Sequence, residues 1–271
     1  MAKYKKKRAR ELQHDKFRDT AGRIFDRLGD KLEGKGKSIV YGIGGLLVLV
    51  LAIGLWVRWS NRKADEAQRA MGRAIAIAST PVAGDPSAVD PTAPTFSSEQ
   101  ERAQRAIEEF QKVAAKYGDP YRTEARYFIG TNMLLIDRPK AMTELAEVGN
   151  SSLAEAAALA KFALAQAKET DGKLDEAAQL YSALAAQNST VITVDSANLR
   201  LAAVYEKQAK KKEAADLLFN IVEAARKAKD TDGTPLPMSA AARDASTKLQ
   251  KLDSDRYAKL TPETPSGNLP F

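Results

Sequence analysis

The sequence contains no cysteine and a single histidine, and these two scarcities limit its chemistry. Without cysteine the chain has no disulfide, no thiol nucleophile and no sulfur ligand for zinc or an iron–sulfur cluster. The one histidine, His14, lies in a charged N-terminal segment, so the rest of the chain has no imidazole for acid–base catalysis or metal binding. No Walker, HExxH or GxSxG motif occurs. We therefore predict that the protein is not an enzyme and has no catalytic residues, metal site, cofactor or small-molecule substrate.

Basic side chains outnumber acidic ones, but the excess is confined to one end of the chain. The 271 residues include 42 Lys and Arg against 35 Asp and Glu, which gives a formal net charge of +7. Residues 1–37 hold 13 basic and 6 acidic side chains, whereas residues 58–271 are neutral with 29 of each sign. A nucleic-acid-binding domain needs a basic face of its own. We therefore expect no nucleic-acid partner.

Charge is also missing from residues 38–57, which form 20 consecutive uncharged positions. As a helix this run would measure about 30 Å, the hydrocarbon thickness of a bilayer. Tyr41, Trp56 and Trp59 lie at its ends, where aromatic side chains anchor membrane helices. A buried core helix is the alternative, but the run is longer than such helices usually need. A cleaved signal peptide is not indicated, because the preceding segment is long and no small-residue cleavage site follows.

The distribution of basic residues around this span predicts its orientation. The positive-inside rule places residues 1–37 in the cytoplasm and residues 58–271 across the membrane. In a bacterium the domain would lie in the periplasm, held at the inner membrane by a single pass. Residues 1–37 also have the pattern of a basic amphipathic helix, which either lies on the anionic leaflet or only sets the topology. Five basic residues after the span weaken the argument without reversing it; they are Arg58, Arg62, Lys63, Arg69 and Arg73.

Beyond the span, composition divides the chain into helical segments and linkers. A helical pattern covers residues 58–79, four prolines mark residues 80–98 as a linker or insertion, and helical periodicity resumes over residues 99–229. Residues 230–253 are predicted to form a loop and a capping helix, and residues 254–271 a disordered proline-rich tail. The predicted fold is all-α.

A motif of alanine followed four residues later by a large side chain recurs through the helical region. A small residue lets two antiparallel helices approach closely, and the large one fills the space beside the next unit. The pattern resembles the tetratricopeptide repeat and predicts an α-solenoid of about four helix pairs; a generic alanine-rich bundle is the alternative. The motifs are spaced by 35, 36 and 37 residues and comprise Ala106 and Phe110, Ala141 and Leu145, Ala177 and Tyr181, and Ala214 and Leu218.

This resemblance also implies a binding surface, because the first helices of such repeats line a concave groove that takes peptides. A groove of mixed polarity suits weak contacts with exposed hydrophobic segments. Met133, Phe162 and Leu199 could instead simply pack the core. The predicted groove positions are Arg126, Met133, Phe162, Gln166, Leu199 and Ala203.

The order of the segments resembles a known bacterial family. A basic tail, an uncleaved span ending in Trp56-Val57-Arg58-Trp59-Ser60-Asn61, an alanine-rich helix and degenerate repeats are similar to the ancillary subunit of the Sec translocon. The resemblance implies membrane lipid, the SecYEG channel and periplasmic chaperones or clients as partners. It predicts a tethered interaction scaffold that assists emerging proteins in a chaperone-like way. The alternative is a fixed structural or accessory subunit of another inner-membrane or envelope-assembly complex.

Overall fold

The computed structural model describes residues 36–83, 95–187 and 189–262. Within these ranges the chain is all-α, with ten helices and two isolated β-bridges. The helices are α1 (Gly36–Ala78), α2 (Glu99–Lys116), α3 (Tyr121–Met133), α4 (Arg138–Gly149), α5 (Ala154–Thr170), α6 (Leu174–Ala186), α7 (Val194–Lys207), α8 (Lys211–Lys227), α9 (Ala240–Leu252) and α10 (Ser254–Tyr257).

The chain divides into two compact units, Met1–Ala64 and Asp65–Phe271. In the first unit, the described part of α1 carries large apolar side chains that are exposed to solvent from Leu46 to Trp59. The stretch Gly44–Ala78 is long and apolar enough to cross a membrane, by length and composition alone. A core helix would bury these side chains, so their exposure argues against that alternative. The predicted amphipathic tail and the Tyr41 side chain lie outside the described residues.

The second unit is a solenoid of antiparallel helix pairs. We call residues 65–78 of α1, together with α3, α5 and α7, the A helices, and α2, α4, α6 and α8 the B helices. Residues of the α1 segment share a core with α2 and α3, and from α2 onward each helix packs against the next in the chain. The last long helix, α9, packs on both α8 and α7. Four pairs and a capping helix therefore confirm the predicted solenoid, and the generic bundle is not what forms.

The alanine-plus-large-residue motifs form the centre of each pair. All eight side chains have 0% of their surface exposed: Ala106, Phe110, Ala141, Leu145, Ala177, Tyr181, Ala214 and Leu218. The large members each belong to a hydrophobic cluster that joins neighbouring helices. The sequence period thus corresponds to a repeated packing unit, as a solenoid core requires.

Gly130 lies where the backbone of α3 passes close to Leu145 of α4. A Cβ atom at this position would lie 2.9 Å from both Cγ and Cδ2 of Leu145. Leu145 is completely buried and has no free space to move into. Glycine is therefore required here by the approach of the two helices rather than by backbone conformation.

The C-terminal segment differs from the prediction that residues 254–271 are disordered. Residues of α10 form one helical turn, capped by the Asp253 carboxylate accepting from the backbone of Arg256 at 2.9 Å. Leu260 inserts between α8 and α9 with only 6% of its surface exposed. The prediction was wrong for residues 254–262. It relied on the proline content of the segment and overlooked one apolar side chain, Leu260, that anchors it to the core. Residues 263–271 lie outside the described part.

The proline-rich insertion leaves and rejoins the solenoid at one place. Val82 and Phe96 form a parallel bridge, with the Ala83 amide donating to the Phe96 carbonyl at 2.8 Å and the Phe96 amide to the Pro81 carbonyl at 3.1 Å. The two ends of the predicted linker, residues 80–98, are therefore hydrogen-bonded to each other. Its central residues, 84–94, lie outside the described part.

Replacing Gly130 with alanine should destabilise the solenoid. Alanine gains about 1 kcal/mol in helix propensity, but overpacking against buried Leu145 costs about 1–3 kcal/mol, so we expect a lower unfolding midpoint. Gly72→Ala is the matched control: Gly72 is also helical and a Cβ there meets nothing within 4 Å. Thermal unfolding followed by circular dichroism should show Gly72→Ala raising the midpoint and Gly130→Ala lowering it. A rise in both would contradict the close approach.

The segment after α10 is tied to α8 through Glu223. The Lys227 ammonium lies 2.7 Å from its carboxylate, and Thr261 donates to it from its amide at 3.0 Å and its hydroxyl at 2.7 Å. Lys227, followed by the Thr261 donors, lowers the pKa of Glu223 from 4.5 to about 2. A lowered folded-state pKa gives stability that is complete above pH 4.5 and is lost as pH falls towards 2.

Acidification between these two pH values should therefore loosen the C-terminal segment. Glu223→Gln should lower the thermal midpoint at neutral pH and flatten its decline between pH 4.5 and 2, because the titrating group is gone. Glu213→Gln on the same helix is the control, since Glu213 has no ion pair among the described residues. Identical pH profiles for the wild type and Glu223→Gln would contradict this assignment.

Candidate protein-binding face

Two direct contacts link helices on the A side of the solenoid. α3 contacts α5 directly and α7 contacts α9, whereas the B helices make no comparable approach to one another in the described solenoid. Closer spacing along one row curves a stack of helix pairs towards that row. We call the surface of the A helices that faces away from the B helices the inner face.

On α5 the inner face carries Leu159, Phe162 and Gln166. One side of this helix packs into the cluster with α4, and another side packs into the cluster with α6 and α7. Helical periodicity leaves these three half-buried residues on the remaining side. Phe162 also packs edge-on against the buried Tyr181 ring, with centroids 5.6 Å apart. The face therefore combines an apolar surface with an amide.

On α7 the inner face carries Leu199 and Ala203. Leu199 packs against the cluster formed by α8 and α9, and Ala203 is half-buried. Arg200, on the same side of the helix, is exposed. Phe162 and Leu199 thus do contact the core, as the alternative interpretation expects, while the part of each side chain that remains accessible belongs to the inner face.

Arg126 and Met133 do not lie on this face. The Arg126 guanidinium binds Glu144 and Glu147 of α4, each at 2.5 Å, and these carboxylates raise the pKa of Arg126 above its ordinary value. Met133 packs into the cluster of α1, α2 and α3. The physical reason is that α3 turns Gly130 towards α4, which carries Arg126 to the same side.

Two half-buried residues, Tyr127 and Leu159, were not among the groove positions predicted from the sequence. Tyr127 packs beside α4 and α5, and burial raises the pKa of its hydroxyl. Leu159 lies one helical turn before Phe162 on α5. Both could have been identified by counting the 3.6-residue period from the buried positions of each helix instead of aligning the helix with the repeat pattern.

Ion pairs connect α5 to α7, and α7 to the capping helix α9, near the C-terminal ends of these helices. Glu169 of α5 binds Lys207 of α7 at 2.6 Å and accepts from the Tyr181 hydroxyl at 3.2 Å. Burial and the neighbouring Glu169 charge raise the pKa of Tyr181. Glu206 of α7 approaches Lys248 of α9 at 4.0 Å. These contacts stabilise the packing of these helices and hence the spacing of the side chains on the inner face.

The described residues contain no group of three or more His, Cys, Asp or Glu side chains placed to hold a metal ion. Glu169 and Glu206 form ion pairs between helices. What the arrangement offers chemically is therefore a shaped surface of mixed polarity.

The fold and this face define a tetratricopeptide-like α-solenoid, a class of protein whose repeats present an interaction surface. No protein-family model matches the chain, and no curated protein matches it. Among solved structures, the TPR-like repeats of a kinesin light chain from Podosopora anserina match with a TM-score of 0.45 and 17% identity. The match covers 57% of this chain and 79% of that one, and a single-substitution variant of the same protein gives the same values.

Removing the ion pair between α5 and α7 tests whether it stabilises the packing of these two helices. Glu169 has 11% of its side chain exposed and Lys207 has 53%, so we expect a coupling energy of about 0.5–1 kcal/mol. The measurement is a double-mutant cycle of Glu169→Gln and Lys207→Gln by urea unfolding. Additive effects of the two changes would show that the pair contributes nothing.

Proposed function

We propose that the protein is a membrane-anchored scaffold that binds other proteins through the inner face of its solenoid. The observation that carries this proposal is the pair of half-buried apolar side chains, Phe162 and Leu199, on adjacent A helices with polar neighbours beside them. A surface of this kind suits transient contacts with extended or partly folded segments. Gln166 and Ala203 complete the proposed contact surface.

We further propose that α1 anchors the solenoid in the bacterial inner membrane. The apolar side chains between Leu46 and Val57 are exposed, and a bilayer is the environment that would cover them. The basic N-terminal segment would lie in the cytoplasm and the solenoid in the periplasm. Trp56 and Trp59 would lie at the lipid–water interface on the solenoid side, and Tyr41 at the opposite one.

The resemblance of the sequence to the ancillary Sec subunit supports a particular place for this scaffold. There it would associate with the SecYEG channel and hold emerging proteins, or the chaperones that receive them, in a chaperone-like way. The mixed polarity of the inner face agrees with weak binding of many different segments. A fixed accessory subunit would instead bury its contact surface permanently against one partner.

Photo-crosslinking from the inner face in intact membranes tests the scaffold. A photo-reactive residue in place of Gln166 should capture the channel or several emerging chains, whereas the same residue in place of Gln111 should not. Gln111 is the matched control because it is an exposed glutamine on α2, a B helix. Adding Ala203→Arg should reduce the Gln166 crosslinks several-fold, because a long side chain would cover the face without removing a core contact.

The pattern of crosslinked partners separates the two candidate roles. Several transient, unfolded partners from Gln166 support the chaperone-like scaffold. A single partner in constant ratio would contradict it and support the fixed-subunit alternative. Stronger capture from Gln111 than from Gln166 would contradict the inner face as the binding surface.

The absence of cysteine makes the topology directly testable. A single cysteine in place of the exposed Gln187 should react with a membrane-impermeant maleimide in spheroplasts. A cysteine in place of Lys5 should react only after the membrane is permeabilised. The reverse labelling pattern would contradict the proposed orientation, and equal labelling of both sites would contradict the single span.

A further inference from the structure

Five exposed side chains follow the uncharged run of α1 and form what we call the collar. Trp56 and Trp59 keep 65% and 56% of their surface exposed, which is unusual for indole rings in a folded chain. The Lys63 ammonium lies over the Trp59 ring, 3.6 Å from its centroid. The collar consists of Trp56, Arg58, Trp59, Arg62 and Lys63, all in the first compact unit.

The carboxylates closest in sequence to the collar, Asp65 and Glu66, follow it on the same helix, and Glu66 binds Lys116 at 3.5 Å. The sequence holds no Asp or Glu between Glu33 and Asp65. Among the described residues, no carboxylate forms an ion pair with Arg58 or Arg62, and both are exposed. Both guanidinium groups are therefore available to bind an anion.

Helical geometry brings these two arginines together. Four residues apart, they lie on the same face with Cβ atoms about 6 Å apart, so both can reach one phosphate group. Arg58 is the first residue after the uncharged run, so the pair begins where the apolar surface of the helix ends. In a membrane-spanning helix this position corresponds to the headgroup layer.

We propose that the collar binds an anionic phospholipid, with Arg58 and Arg62 on its phosphate and the two tryptophans beside its glycerol backbone. This inference rests on the proposed membrane span. Guanidinium groups bind phosphate with two parallel hydrogen bonds, and indole rings partition to the headgroup layer. Lys63, held over Trp59, adds a third positive charge at the same level.

A lipid is favoured over an acidic protein segment because the positive charge of the collar lies at the depth expected for lipid phosphate groups. The arginines directly continue the apolar surface and adjoin the tryptophans, so the collar matches the phosphate, glycerol and acyl zones of a lipid in the right order. The collar also accounts for basic residues that the positive-inside rule does not expect on this side of the span.

The collar carries its own spectroscopic probe, because Trp56 and Trp59 are the only tryptophans of the chain. The full chain is reconstituted in vesicles of phosphatidylcholine with about one-fifth phosphatidylglycerol. The acyl chains of either the phosphatidylglycerol or an equal amount of phosphatidylcholine are brominated, and quenching of tryptophan fluorescence is compared. We expect quenching by the brominated anionic lipid to be at least about twofold stronger, and to weaken as salt is added.

Two double variants locate the effect. Arg58→Gln with Arg62→Gln should equalise quenching by the two brominated lipids. Arg69→Gln with Arg73→Gln is the matched control, since these arginines are also exposed and four residues apart but lie farther from the uncharged run. This control should keep the wild-type preference.

The outcomes distinguish this inference from the membrane span on which it rests. Equal quenching by both lipids in the wild type would overturn the lipid site while leaving the span intact, and would favour an acidic protein partner. A preference that survives Arg58→Gln with Arg62→Gln would also overturn it. No quenching by either lipid would overturn the span, and the collar proposal with it.

Discussion

Close contact between antiparallel helices is the constraint on which the solenoid depends. Each pair can form only where a small side chain allows a large one to cross it, as Gly130 does for Leu145. In the third pair, Ala165 of α5 and Tyr181 of α6 are both fully buried in one cluster. If any pair were held farther apart, the A helices on either side would lose their spacing. The inner face is therefore a consequence of the packing behind it, and its shape is set by buried residues.

The parts of the fold that could be predicted are those in which burial repeats with a regular period. The four motifs and the capping helix were visible because a buried face recurs every 3.6 residues along each helix. Arg126 was misplaced because α3 matches the repeat pattern poorly, and an error of one position turns a side chain by about 100° around the helix. Tyr127, its neighbour, is the residue that packs towards α5. Whether a membrane surrounds α1, and what binds the inner face, depend on other molecules, and the sequence specifies only the two surfaces themselves.

Charge in the solenoid serves mainly to tie helices together. Residues 58–271 carry equal numbers of basic and acidic side chains. Several of these join successive helices, as Arg138 does when it binds Asp171 at 2.5 Å and the Ala167 carbonyl at 2.8 Å. Lys168 and Glu176 form a similar tie at 2.6 Å between α5 and α6. A domain with equal numbers of positive and negative side chains has little net field around it. The excess positive charge lies at the ends of the apolar run, where anionic lipid headgroups would neutralise it.

The bridge between Val82 and Phe96 makes the length of the intervening segment independent of the solenoid. Because both ends are fixed side by side, lengthening the loop costs only about 0.6 kcal/mol for each doubling of its residues. The first helix pair is therefore a site at which chain can be gained or lost during evolution without repacking the core. The same property makes this loop a natural point of attachment for an added domain or reporter, with both of its junctions already aligned.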